Sequence, residues 1–367
     1  MHIIYIHKEE VHKRPPVLSV LNHLSALGQD VDLITCGINS SVKAVLNNNN
    51  INVYVLPYCK AKHKLGKLKE YILFRRDVFR LIKKIYRENS VLWIEAGATI
   101  VSLGEKINSF RHILQIQELH ESEKTTLRSI KRVIGSAHSV FMPEYNRCVL
   151  YQIWFQLKKR PILLPNVPAY LPSLENLKSY ETKHSTLINQ IQGKKLIIYQ
   201  GYISMRRPLD NYIKAVKCLG NPYQILLVGQ DCGKLEDYKK ILPNIIHIPY
   251  VPSPEYLFFT KLSYIGIVSY DPLVLNNAYC APNKIFEYAH YGLPMIGNDI
   301  PGLKYMIESY QAGIIVDDQN VENIIDSIKM IDANYPQYSR NATVMLNSFN
   351  NQAVIKSELE KIEYSIQ

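Results

Sequence analysis

Lys284 and Glu287 stand three residues apart in the stretch Ala281-Pro282-Asn283-Lys284-Ile285-Phe286-Glu287-Tyr288-Ala289-His290-Tyr291-Gly292-Leu293-Pro294-Met295-Ile296, a spacing that puts both on one face of a helix. Asn283 after Pro282 is a good N-cap, Gly292 a good stop, and Pro294 cannot continue a helix, so the pattern predicts a capped helix from Asn283 to Tyr291. At a helix start the free backbone N–H groups and the positive dipole end favour a bound phosphate. Lys284 would lie beside that phosphate. Glu287, one turn deeper, offers a carboxylate that accepts two hydrogen bonds, which suits the paired hydroxyls of a ribose. The same spacing also serves an ordinary surface ion pair.

A second group of polar residues follows a strand ending at Tyr199. Gln200-Gly201-Tyr202-Ile203-Ser204-Met205-Arg206-Arg207-Pro208 is a glycine turn carrying two adjacent arginines. Arg206 and Arg207 offer planar guanidinium forks for phosphate oxygens, and Pro208 is expected to open the next helix; the alternative is a solvated basic turn. Gly229 ends Leu226-Leu227-Val228, where backbone can approach a ligand closely. In the first half, Ile113-Leu114-Gln115-Ile116-Gln117-Glu118-Leu119-His120-Glu121 puts His120 just beyond a strand, looking into a cleft if two halves face each other. Glu118 and Glu121 flank it, although carboxylates are common in loops. No GxSxG, HExxH, GxxxxGK[ST] or GxGxxG occurs, so hydrolase, zincin, P-loop and Rossmann dehydrogenase chemistries lack a motif.

These residues need a scaffold that delivers them to strand ends. Apolar runs alternate with helical patterns along the chain, which predicts two α/β domains with parallel sheets. The first half reads as strands at His2–His7, Asp30–Thr35, Val53–Leu56, Val91–Ile94, His112–Gln115, Ser139–Met142 and Ile162–Leu164, with a helix from Pro16 to Leu27. Strands at Lys195–Tyr199, Gln224–Val228, Ile245–Ile248, Ile265–Val268, Met295–Gly297 and Gly313–Val316 make the second. The linker is expected at Pro168–Leu174, followed by a polar helix, giving domains of residues 1–170 and 171–350. The amphipathic helix 351–367 is expected to pack back on the first. In open parallel sheets ligands bind beyond the carboxyl ends of the strands, which is where the loops above lie.

The 367 residues, 47% of them hydrophobic, are enough for two full cores. The net charge of +11 is unevenly spread: residues 1–168 carry 25 Lys and Arg against 13 Asp and Glu, leaving 18 against 19 in the remainder. Residues 60–87 hold eleven basic and two acidic residues, with Tyr71, Phe74, Val78, Ile82 and Ile85 recurring at three and four. This basic amphipathic helix either lies on an anionic membrane, each cation gaining about 1 kcal/mol near the headgroups, or packs its stripe inward under a solvated face. Nothing marks nucleic-acid binding: no zinc finger, recognition helix or basic-aromatic sheet motif. The six cysteines (Cys36, Cys59, Cys148, Cys218, Cys232, Cys280) are scattered without metal spacing and read as reduced, mostly buried small hydrophobes. No apolar run is long enough to span a bilayer, and the start lacks the basic lead-in of a signal peptide, so the expected location is cytoplasmic. The basic first half adds the expectation that the protein is peripheral on the inner face of the plasma membrane.

Together these segments resemble the retaining, nucleotide-sugar-dependent glycosyltransferases of family 4, and the resemblance covers nearly the whole chain. Pro282-Asn283-Lys284 through Glu287-Tyr288 to Gly292-Leu293-Pro294-Met295-Ile296 is similar to the family's PsKxxEYxxxGxPVI segment. Tyr199-Gln200-Gly201 with Arg207 resembles its donor-phosphate loop, and Leu227-Val228-Gly229 the strand exit near the nucleotide. Val251-Pro252-Ser253-Pro254-Glu255-Tyr256-Leu257 resembles the segment beside the base, and Pro165-Asn166-Val167-Pro168 the end of the N-terminal domain.

The resemblance implies a GT-B fold, two Rossmann-like domains facing each other across a cleft, with the acceptor on the N-terminal domain and the donor on the C-terminal one. It implies that Glu287 binds the donor ribose, that Arg207 and Lys284 hold the diphosphate, and that His120 sits near the transferred sugar. Gly201, Arg206, Gly229, Val251, Pro282 and Asn283 would complete the donor site. No cofactor or metal is implied; the donor would be a UDP- or GDP-linked sugar, and the acceptor a glycan or polyprenyl-linked oligosaccharide of surface polysaccharide (capsule or exopolysaccharide) synthesis. The only Asp-x-Asp, Asp30-Val31-Asp32, falls in a predicted strand of the other half. The chain departs from the family pattern in three places. Tyr279 stands where many members carry a second glutamate, Tyr202 where many carry arginine after the loop glycine, and His7-Lys8-Glu9-Glu10-Val11-His12-Lys13 replaces a glycine-rich loop after the first strand. The missing carboxylate leaves open a catalytically silent scaffold, and another GT-B enzyme, such as an inverting transferase or sugar-nucleotide epimerase, is the second alternative.

Overall fold

Parallel strands buried on both faces favour continuous runs of apolar residues, and among the described residues thirteen strands, the central ones of this kind, form two sheets. The computed structural model describes residues 1–58, 61 and 63–364. The first sheet contains β1 (His2–Glu10), β2 (Asp30–Gly37), β3 (Ile51–Val55), β4 (Ser90–Glu95), β5 (His112–Gln115), β6 (Ser139–Met142) and β7 (Ile162–Leu163), in the order β3-β2-β1-β4-β5-β6-β7. The second contains β8 (Lys195–Gln200), β9 (Tyr223–Val228), β10 (Ile246–Ile248), β11 (Ile265–Val268), β12 (Met295–Asn298) and β13 (Gly313–Val316), in the order β10-β9-β8-β11-β12-β13. Every pairing in both sheets is parallel.

One unit comprises Met1–Ala169 together with the segment from Asn350, the other Tyr170–Phe349. In the first, Trp93 stacks between Tyr5 at 6.1 Å and Phe141 at 5.2 Å. The Gln115 carboxamide oxygen accepts from Tyr5 Oη and Trp93 Nε1, both at 2.8 Å, so the polar tips of these rings are satisfied inside the core. Ile355, Leu359 and Ile362 of the helix Asn351–Tyr364 join the same core. Residues 365–367, the end of the helix expected from the sequence, lie outside the described residues. Asp30 and Asp32 have structural partners: Asp30 pairs with Arg87, and the buried Asp32 carboxylate takes His2 Nε2 at 3.0 Å and Asn52 Nδ2 at 2.9 Å.

The basic segment folds as a helix, Lys64–Ile85, that buries Phe74, Val78, Phe79 and Ile82 and leaves its cations outside. Lys60 and Lys62, its expected leading cations, lie outside the described residues, as does Cys59. Cys36, Cys148 and Cys280 are buried, whereas Cys218 and Cys232 are exposed. No helix among the described residues is long and apolar enough to cross a membrane.

Three local expectations need correction. β1 runs on to Glu10, because the chain regains its pairing with β2 through Glu10 and Gly37 after a register shift. Two short helices, Ser179–Lys183 and Ser185–Ile191, take the place of the single polar helix expected after the linker. Pro208 does not open a helix; the next one begins at Asp210 with Leu209 as its cap residue.

Candidate functional site

The strand order of the second unit fixes where a ligand fits. The chain winds from β8 through β9 to β10 on one side and resumes at β11 on the other, so β8 and β11 flank the point where the winding reverses, the usual place for a binding crevice in such sheets. A cleft of about 380 Å³ lies there, large enough for a small organic ligand. Its walls come from the strand exits: Gln200, Gly201 and Tyr202 after β8, Val228, Gly229 and Gln230 around the end of β9, Tyr250 and Val251 after β10, and Tyr270 after β11. Pro282, Asn283, Lys284 and Glu287, from the start of the helix Asn283–His290, close it.

That helix is anchored by its buried face, Ile285, Phe286, Tyr288 and Ala289. The Tyr288 ring lies where any side chain at position 266 of β11 would sit, so a Cβ on Gly266 would come within 2.3 Å of it. Gly292, at φ 65°, ends the helix as the sequence predicts. The start differs: Pro282 is the cap residue, Asn283 is the first helical residue, and no side chain caps the first turn. An uncapped helix start carries free N–H donors, and here it forms one wall of the cleft.

Gly201 and Gly229 let two strand exits meet. A Cβ on Gly229, at φ 141°, would lie 2.1 Å from the Gly201 carbonyl oxygen. Gly229→Ala is therefore expected to destabilise the protein by about 3 kcal/mol or more, from strain and steric overlap together. Urea denaturation followed by circular dichroism measures this directly.

Glu287 is 7% exposed. Its carboxylate accepts from Tyr256 Oη at 2.6 Å and from Gln200 Nε2, while Gln200 Oε1 accepts from Thr260 Oγ1 at 2.7 Å. Burial raises its pKa above the usual carboxylate range, opposed by the Tyr256 hydroxyl, the Lys284 cation and Gln200. The Lys284 ammonium sits 4.1 Å above the Tyr199 ring and 5.7 Å from that of Tyr270, and a Cβ on Gly201 would lie 3.4 Å from it. The residue keeps some exposure to the cleft, but its ammonium is densely surrounded. That desolvation, joined by the Arg207 cation, pulls its pKa down to about 7, with Glu287 acting in the opposite sense.

The cleft thus brings together Gly201, Gly229, Val251, Pro282, Asn283, Lys284 and Glu287. Arg207 borders it through Tyr270, its guanidinium 3.9 Å from the ring centroid, and reaches Asn277 Oδ1 at 3.5 Å. Arg206 is exposed on the same loop and does not line the cleft. His120 belongs to the other unit. Its backbone takes φ 57° and its Nδ1 lies 3.2 Å from Glu123 Oε2. Glu118 pairs with Arg147 at 3.6 Å. Sequence reasoning missed Gln200 and Tyr256, which hold Glu287, and Tyr270, which stacks on Arg207. Tyr270 alone had a signal, a tyrosine just beyond the end of β11, whereas Tyr256 comes from the helix Glu255–Lys261 and Gln200 from the last position of β8. Among the described residues no group of three or more His, Cys, Asp or Glu gathers as metal ligands.

No family model matches the chain. It is 21% identical over 366 residues to an uncharacterized glycosyltransferase of Haemophilus influenzae, covering 92% of each chain. Its structure is similar to sucrose-phosphate synthase from Thermosynechococcus elongatus, with a TM-score of 0.72 and 15% identity over all of both chains. It is also similar to HepE of Anabaena in complex with UDP-glucose, with a TM-score of 0.68 and 12% identity over all of this chain and 98% of that one. The fold is that of the GT-B glycosyltransferases, built from two parallel-sheet α/β domains.

Proposed function

We propose that the protein is a glycosyltransferase that moves a sugar from a nucleoside diphosphate donor, UDP- or GDP-linked, to a glycan or polyprenyl-linked oligosaccharide, with retention at the anomeric carbon. The observation that carries this reading is the convergence of Lys284, Glu287, Gly201 and Gly229 on one cleft beside an uncapped helix start, at the switch point of a parallel sheet. Glu287 takes the ribose hydroxyls, and the tyrosines at the strand exits border the base. Arg207, Lys284 and the helix N–H groups receive the diphosphate.

As the bond from the anomeric carbon to the phosphate oxygen breaks, negative charge grows on the diphosphate and the sugar becomes oxocarbenium-like. Fixed cations and amide dipoles aimed at that charge lower the barrier by several kcal/mol, roughly. The acceptor hydroxyl attacks on the face the diphosphate leaves, bonding to the anomeric carbon while its proton passes to a phosphate oxygen. His120 orients sugar hydroxyls; its left-handed backbone, uncommon for a residue with a side chain, fits a position held for function. The surplus of positive charge in residues 1–168 supports an acceptor held at an anionic membrane, in assembly of a surface polysaccharide such as capsule or exopolysaccharide, with the protein peripheral on the cytoplasmic face.

Purified protein given a panel of donors is expected to release nucleoside diphosphate only when an acceptor is present, and NMR of the product to show the donor's anomeric configuration retained. Inverted product would replace this reading with the inverting transferase. Absence of nucleotide binding in calorimetry would replace it with a silent scaffold, which the tyrosine at position 279 makes the relevant rival.

A further inference from the structure

The outward face of the helix Lys64–Ile85 changes character along its length. Leu65, Leu68 and Ile72 follow one another at three and four residues and are 83%, 57% and 61% exposed, although the helix buries a different set, Phe74, Val78, Phe79 and Ile82, in the domain. Arg76 and Lys83 continue the same line toward the C-terminal end. There a groove of about 430 Å³ opens, with Ile72 and Phe79 as its apolar wall and Arg75, Arg76, Arg80, Lys83 and Lys106 as its cations. Asp77 pairs with Arg76 and Arg80, whereas Arg75, Lys83 and Lys106 form no ion pair among the described residues. Lys106 instead lies 4.6 Å over the Phe79 ring.

Aliphatic side chains left largely exposed in a line at helical spacing are disfavoured in water, and a groove ringed by cations without ion-pair partners attracts anions. We infer that this face docks on a bilayer containing anionic phospholipid, with Leu65, Leu68 and Ile72 entering the headgroup boundary and the groove cations taking lipid phosphates. Nucleic acid would satisfy the cations but offers nothing to the exposed aliphatic stripe, and so the two halves of the surface favour a membrane. The inference deepens the reading of a membrane-held acceptor by naming the surface that brings the enzyme to it.

Flotation with vesicles of phosphatidylcholine, alone or mixed with phosphatidylglycerol, tests it. The wild type is expected to float with the mixed vesicles only, and less as salt rises. Arg75→Glu with Lys83→Glu is expected to lower the partition coefficient by about tenfold or more, and Leu68→Asn with Ile72→Asn by about tenfold. All four positions are exposed, and circular dichroism with thermal melting verifies that the variants remain folded. Flotation equal on neutral vesicles, no flotation, flotation unaffected by the Leu68 and Ile72 changes, or duplex DNA or an acidic protein bound in place of vesicles would each overturn the inference. Titration with UDP reads residues 170–349 separately, so a protein that floats but binds no nucleotide loses the donor assignment and keeps this one.

Discussion

Glu287→Ala is expected to weaken binding of the nucleotide-sugar donor by about 100-fold, which calorimetric titration would measure. Two ribose hydroxyls donating to a buried carboxylate are worth roughly 1.5 kcal/mol each, and about 1.4 kcal/mol is a factor of ten. The substitution also strands the Tyr256 hydroxyl and the Gln200 carboxamide, which now share that carboxylate. Losing an acceptor for two enclosed donors costs stability on the order of 1–3 kcal/mol, so a melting curve must accompany the titration. Glu287→Gln separates the two effects. It preserves shape and one oxygen acceptor, so it is expected to melt close to wild type while binding donor about tenfold less tightly. Unchanged affinity in both variants would remove Glu287 from the ribose site.

Much of the scaffold was legible because parallel strands covered on both faces have no polar alternation to confuse them: Ile3-Ile4-Tyr5-Ile6 and Ile225-Leu226-Leu227-Val228 announce themselves as continuous apolar runs. The boundaries that escaped are those fixed by tertiary pairing. Lys8, Glu9 and Glu10 have no strand signature, and tertiary contacts keep them extended: Glu10 pairs with Gly37, Lys8 N donates to Thr99 Oγ1 at 3.0 Å, and Thr35 Oγ1 donates to the Glu9 carbonyl at 2.7 Å. Asn283 has the chemistry of a cap, but the preceding proline already supplies the extended backbone at the cap position, at φ −78° and ψ 132°, and Asn283 enters the helix instead.

The chemistry of the cleft was legible where it lies in one segment, as with Lys284 and Glu287, or where a glycine ends a strand, as with Gly201 and Gly229. It was not legible where two loops meet. Tyr256 is 31 positions from Glu287 and Gln200 is 87, and Tyr270 is far from Arg207 along the chain. Their contact depends on the order β10-β9-β8-β11, which no local pattern encodes. Arg206 shows the reverse failure: adjacent arginines look equivalent in a sequence, yet the turn sends one toward Tyr270 and the other into solvent.

Donor affinity is also expected to depend on pH through Lys284. In the free protein its pKa stands at about 7, lowered first by burial and then by Arg207. A diphosphate beside the ammonium favours the charged form and raises that pKa. Binding therefore takes up a proton wherever the pH lies between the free and bound values, and affinity falls above pH 7 by up to about tenfold per pH unit while staying flat below it. A UDP-sugar is the right probe, because free UDP has a terminal phosphate that titrates near pH 6 by itself. Calorimetry in two buffers of different ionisation enthalpy counts the proton directly. Lys284→Met is expected to weaken binding and abolish both the slope and the proton uptake, whereas Lys284→Arg, which cannot lose its charge in this range, should flatten the profile. Folding stability runs the other way. Because the folded pKa is depressed, the unfolded chain holds the extra proton between pH 7 and the ordinary lysine value, so the burial cost is full below pH 7 and is relieved as pH rises through that window. A wild-type affinity that stayed level from neutral pH up to the lysine range would mean that the diphosphate does not seat beside Lys284, and the donor would then have to lie elsewhere in the cleft.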